Sequence, residues 1–288
     1  MKRRVCWIAL LIVVLFAPAA FAGANFSQVV TFGDSLTNND LIWITTGKSP
    51  DLYGNDPMEA VFVKGGGVGS KLTSYAVAGT ESSYLQYEVG AYFANRAAGK
   101  QAKATLFCIE MGGNDVLNNI GLLASAPPGA SGAADGVIQE IMDSINEGWT
   151  QLRQFHSNAQ FVFWTIPDVT LIPKHWGEYT GTEQANIRAH LKRVNRYIKS
   201  LESFQNVVVL DLYQITQTFV STPYYVNGHQ LVPPPVHGDY DDLFADEIHP
   251  TAVTNAILAN RIIKRMNVRW SDAIPLYTKR QLARLAHF

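Results

Sequence analysis

The chain alternates short, almost unbroken apolar runs with longer stretches whose apolar residues recur every three or four positions. The runs at 28–32, 75–78, 105–111, 160–166 and 206–210 have the length and composition of buried strands. The stretches at 83–98, 136–156 and 184–204 read as amphipathic helices. A last helix is predicted from Pro250, a favoured first-turn residue, to about Met266. Strand and helix taking turns, with strands apolar on both faces, predict an α/β fold around a parallel sheet covered on both sides.

Two stretches break this rhythm. Residues 45–69 carry several Gly and two Pro, and residues 222–242 hold Tyr224-Tyr225, Pro233-Pro234-Pro235 and an acidic cluster at 239–242. Both are expected to be long functional loops. Neither divides the chain, and no repeat is evident, so residues 23–288 are expected to form one domain. The tail 270–288 is expected to pack as a helix against the sheet.

Lys2, Arg3 and Arg4 precede an apolar run from Cys6 to Phe16, and Ala20-Phe21-Ala22 follows with small residues at cleavage spacing. The run is well short of the ~20 residues a spanning helix needs. Residues 1–22 therefore read as a cleaved signal peptide, and the protein as exported to the periplasm or the medium. Without that segment Cys108 is the remaining thiol. Lying in an apolar run, it is expected to be buried and inert.

Composition narrows the chemistry. The 288 residues are 47% hydrophobic and 16% charged, with 23 basic against 24 acidic side chains. That excludes a disordered chain and argues against a nucleic-acid partner. No His-Glu-x-x-His or paired-Cys motif occurs, so neither a metal nor a cofactor is indicated. The glycines at 65–69 do not follow a convincing strand, and Gly47-Lys48-Ser49 lacks the upstream glycine of a phosphate-binding loop.

Chemistry collects where predicted strands end. The first strand runs into Gly33-Asp34-Ser35-Leu36, which puts a serine at the carboxyl edge of the sheet. The second ends at Ala78-Gly79-Thr80 and the third at Gly112-Gly113-Asn114-Asp115. Ahead of the final helix stands Asp246-Glu247-Ile248-His249-Pro250. A serine hydroxyl needs a base to become a nucleophile, and an imidazole needs a carboxylate to fix its tautomer. Acyl transfer also needs donors for the developing oxyanion, which a Gly N–H and an Asn amide supply. Asp34 and Asp115 are expected to order their turns.

These blocks, in this order, resemble the SGNH hydrolases, also called GDSL lipases and esterases. The resemblance runs from Val29 to about Met266. Residues 163–173 and 243–251 are similar to the group of phospholipases, lecithinases and hemolysins. The chain departs from the family pattern at Ser74-Tyr75, where many relatives carry Asn, and across 47–62. The resemblance implies a three-layer α/β/α fold, flavodoxin-like, with a central parallel five-stranded sheet. It implies Ser35 as nucleophile, with Asp246 and His249 completing the triad. It implies an oxyanion hole from Ser35, Gly79 and Asn114. The implied activity is carboxylic ester hydrolysis through an acyl-enzyme on a small or lipid ester, with transient contact to membrane lipid. A carbohydrate O-acetylesterase, or an inactive binding module of the same fold, are the alternatives. Trp43, Tyr53, Met58, Phe62, Tyr224, Tyr225 and Val232 are compatible with an acyl chain.

Overall fold

The computed structural model describes residues 23–38 and 42–288, so the predicted signal peptide lies outside the described residues. Five strands form the central sheet: β1 (Gln28–Gly33), β2 (Lys71–Ser74), β3 (Leu106–Glu110), β4 (Gln160–Trp164) and β5 (Val207–Leu210). Their order is β2-β1-β3-β4-β5, and every pairing is parallel. The chain reverses its direction of winding between β1 and β3, so the crevice beyond their carboxyl ends is where such sheets bind ligands.

Eleven helices are described: α1 (Ile42–Thr46), α2 (Pro50–Tyr53), α3 (Pro57–Gly65), α4 (Leu85–Ala97), α5 (Gly113–Asn118), α6 (Ile120–Ser125), α7 (Gly132–Phe155), α8 (Gly181–Ser200), α9 (Leu212–Ser221), α10 (Ala252–Arg269) and α11 (Lys279–Leu285). Alternation along the strands sorts the core into two layers. Val30, Phe32, Phe107, Ile109, Phe161 and Phe163 face α4, α7 and α8. Val29, Leu106, Cys108, Val162 and Trp164 face α3 and α10. Helix α7 shows the rule at work: Ile138, Ile141, Ile145, Trp149 and Leu152 are buried at helical spacing, and the Ser131 hydroxyl caps its first turn. Cys108 is fully buried, as expected, and burial pushes its thiol well up.

Three expectations are corrected. The second strand is 71–74, not 75–78. It is an edge strand with the polar sequence Lys-Leu-Thr-Ser, so it lacks the apolar run that marks a central one. Residues 75 and 77 still donate to Thr31 and Gly33 of β1, but the chain there has left the regular ladder. Residues 45–69 are not one long loop, because they contain α2 and α3. The signal was present in Asp56-Pro57-Met58-Glu59: Asp56 caps the Met58 and Glu59 N–H groups, Glu59 reaches back to Asp56 N–H, and Pro57 presets the first turn. The tail forms α11, but it packs on α10 rather than on the sheet. In 222–242 a small hairpin forms, β6 (Tyr225–Val226) with β7 (His229–Gln230).

Candidate active site

Ser35 stands two residues beyond β1, in a turn that only glycine lets form. Gly33 has φ +149°, and a Cβ there would lie 2.3 Å from both the Glu110 carbonyl and the Thr37 hydroxyl. Asp34 then organises the turn by accepting the Leu36 N–H at 2.9 Å. The serine emerges half-buried at the sheet edge.

His249 reaches it from 214 residues away. The segment 244–250 closes on itself through Ala245 N–H to His249 carbonyl at 2.8 Å and a bridge between Phe244 and Pro250. Within it Asp246 Oδ1 accepts the N–H groups of Ile248 and His249, each at 2.7 Å. This small loop sets the imidazole. His249 Nδ1 lies 2.8 Å from Asp246 Oδ2, and its Nε2 lies 2.9 Å from Ser35 Oγ. With Nδ1–H donating to the carboxylate, Nε2 is left to accept the serine proton. Burial pushes the Asp246 carboxyl up, but its hydrogen bonds from His249 and Ile248 and the imidazole's charge outweigh that and hold it at about 2.

Asn114 occupies the first turn of α5, directly after β3. Gly112 makes the turn with φ +105°, where a Cβ would sit 2.8 Å from Ile141 and Ile166. The Asn114 amide donates to Asp34 Oδ2 at 3.0 Å and to the Thr80 carbonyl at 2.9 Å. The second bond brings Asn114 against the turn that holds Gly79, itself at φ +81°. Asp115 ties this region down by accepting both the N–H and the hydroxyl of Ser82.

Beneath the serine lies a set of buried carboxyls that sequence reasoning did not reveal. Glu88 accepts the Gly33 N–H at 2.9 Å and the Val77 N–H at 3.2 Å. Its burial, only partly offset by those two N–H groups, pushes it up to about 8. Glu110 is fully buried against Asp34, and burial together with that neighbouring charge pushes it well up. Burial also raises Asp34, while a hydrogen bond from Glu110 works against the rise. The expectation for Asp34 was too narrow, since it holds both its own turn and the Asn114 amide. Tyr53 was also missed as a polar partner: its hydroxyl donates to Asp246 Oδ2 at 2.9 Å.

The profile of the family described as GDSL-like Lipase/Acylhydrolase matches residues 29–262. The chain belongs to this family. Solved structures with the same fold include the lipase Lip_vut3 from a goat rumen metagenome, at 15% identity and TM-score 0.57, covering 83% of this chain and 96% of that one. The acetylxylan esterase Axe2 from Geobacillus stearothermophilus is similar at 15% identity and TM-score 0.51, covering 86% and 97%. LAE5, an alpha/beta hydrolase enzyme from the metagenome of Lake Arreo, is similar at 14% identity and TM-score 0.51, covering 88% and 100%. No curated protein sequence matches the chain. This GDSL-family chain is therefore a hydrolase of the lipase and esterase kind.

Next to Ser35 and His249 lies an apolar cleft that opens to solvent. Leu36 and Pro250, which flank Ser35 and His249 in sequence, line both this cleft and the small recess that holds the serine and the imidazole. Its walls come from Trp164, Ile172, Phe219 and Phe244 among others, with little polar surface. None of Tyr53, Met58, Phe62, Tyr224, Tyr225 and Val232 lines it. Met58, on α3, is fully buried, and Tyr224 packs its ring edge-on against Phe219. The cleft draws on both motif blocks through Leu36 and Pro250, on the segment after β4, and on α9 and α10, residues far apart in the chain that only the fold brings together.

Proposed function

We propose that the protein is an exported serine hydrolase of lipid esters that works through an acyl-enzyme. The hydroxyl of Ser35 adds to the ester carbonyl carbon while His249 Nε2 takes its proton and Asp246 stabilises the imidazolium. The oxyanion is met by the N–H groups of Ser35 and Gly79 and by the Asn114 amide. Of the two bonds Asn114 makes at rest, the one to the neutral Thr80 carbonyl is the weaker, and it is the one given up to the oxyanion. Collapse breaks the bond to the leaving alkoxide, which receives the proton from His249. Water, deprotonated by His249, then releases the acid and restores Ser35.

The observation that carries the lipid reading is the apolar cleft sharing Leu36 and Pro250 with the triad's recess. Each methylene buried in such a cleft contributes roughly 0.8 kcal/mol, so longer acyl chains gain. Export rests on the composition of residues 1–22, and a mature chain starting at residue 23 by N-terminal sequencing is its check.

The test is a fluorophosphonate probe followed by a p-nitrophenyl ester series from acetyl to palmitoyl. Ser35 should label, Ser35→Ala should not, and kcat/KM should rise beyond butyryl. Activity confined to acetyl esters would replace the lipid reading with a carbohydrate O-acetylesterase. Failure of folded protein to label would leave a binding module of this fold.

A further inference from the structure

The carboxylate of the triad has a donor besides its histidine. Asp246 Oδ2 accepts from His249 Nδ1 at 2.8 Å and from the Tyr53 hydroxyl at 2.9 Å, across 193 residues. Tyr53 ends α2 and is 2% exposed. Three further contacts fix it. The Asn255 side chain of α10 donates to its carbonyl at 3.0 Å, the Thr46 hydroxyl of α1 lies 2.7 Å from its own, and its ring meets His249 edge-on at 6.3 Å.

The donor directions follow from chemistry. An ionised carboxylate only accepts, so the Tyr53 proton points at Asp246. The single Thr46 proton then divides between the Tyr53 hydroxyl at 2.7 Å and the Ile42 carbonyl at 3.0 Å. Burial first, and the Asp246 charge with it, push Tyr53 up to about 12, so the phenol remains a neutral donor throughout the neutral range. The result is one hydrogen-bonded line: Thr46, Tyr53, Asp246, His249, Ser35.

We propose that Tyr53 is a positioning residue of this assembly, whose hydroxyl takes up part of the Asp246 charge and thereby tempers how tightly His249 holds a proton. The proposal rests on the reading of Asp246 and His249 as carboxylate and base. A base that holds its proton too tightly is sequestered as imidazolium near neutral pH, so a donor on the far side of the carboxylate widens the range in which Nε2 is free.

Other charged groups around the imidazole are untouched by a change at Tyr53. Asp34 lies beneath Ser35 and its charge is felt by His249. Asp56 lines the same recess while its carboxylate caps α3. Glu247, on the same loop, is exposed.

The experiment is an NMR titration of the His249 imidazole in the full chain, assigned by the signal lost in His249→Asn, for wild type, Tyr53→Phe and Thr46→Val. Tyr53→Phe keeps the ring and removes the donor. Its midpoint should move up by about half a pH unit or more, and the acid limb of kcat/KM should move with it while KM changes less than about twofold. Thr46→Val, which removes the support of the Tyr53 hydroxyl, should move the midpoint the same way by less. A midpoint within about 0.1 unit of wild type, or lower, in folded Tyr53→Phe overturns the proposal by showing that Tyr53 only packs. Should that variant not fold, the presence or absence of the upward shift in Thr46→Val decides. The titration needs no turnover, so an inactive wild type would sink the hydrolase reading alone.

Discussion

Asp34 holds Asn114. The carboxylate of a residue just after β1 accepts, at 3.0 Å, the side-chain amide of a residue just after β3, eighty positions on. The two stand at the point where the sheet reverses its winding, and the bond fixes the Asn114 amide, the proposed oxyanion donor, relative to the serine that follows Asp34. A charged acceptor holds an amide more firmly than a neutral one, so the donor is set before substrate arrives.

Asn114→Ala should therefore lower kcat by ~10²–10³ with a smaller change in KM, because the lost contact belongs to the oxyanion. Asp34→Asn should lower kcat by about tenfold or more, because an amide offers one acceptor where the Leu36 N–H and the Asn114 amide each present a donor. Steady-state kinetics check both variants. An Asp34→Asn enzyme of full activity would reduce Asp34 to a turn-former.

Glu88 predicts a pH effect on stability. Its carboxyl is pushed up to about 8 from an ordinary 4.5, which means that the folded protein prefers it protonated. The contribution is fully present below about 4.5 and is lost as pH rises through about 8. Denaturation midpoints should fall between pH 5 and pH 8.5, and Glu88→Gln should fall less. Relative to wild type the variant should gain on the order of 1–3 kcal/mol across that interval. It should start lower, at pH 5, because an amide offers one acceptor where Gly33 and Val77 present two N–H groups. Parallel wild-type and variant curves would place the titration elsewhere.

Filling the apolar cleft should cost long acyl chains only. Val220, on α9, lines it and is half-buried, so a larger side chain there protrudes into the cleft rather than into the core. Val220→Trp should leave p-nitrophenyl acetate turnover within about twofold of wild type. Octanoyl ester kcat/KM should fall by about tenfold or more, the equivalent of two or three methylenes losing their apolar contact. Equal loss on both esters would show that the indole disturbs the triad instead.

The primary structure alone determined the class of the fold and pointed to the serine, carboxylate and imidazole that the fold brings together. Buried parallel strands must be apolar on both faces, so β1, β3, β4 and β5 stand out as runs, and long helices show their buried faces at regular spacing. Ser35, Asn114, Asp246 and His249 follow those elements directly, and Gly33 and Gly112 are glycines because no side chain fits there. Edge strand β2 escaped because half of it faces water. Tertiary structure decided the rest: that Asp34 reaches Asn114, that Tyr53 reaches Asp246, that Glu88 and Glu110 lie buried at the end of β1 near Ser35, and that Leu36 and Pro250 open onto an apolar cleft. Each of these depends on residues far apart in the chain whose local patterns are ordinary. Burial and pairing are properties of the folded arrangement, so no spacing along the sequence encodes them.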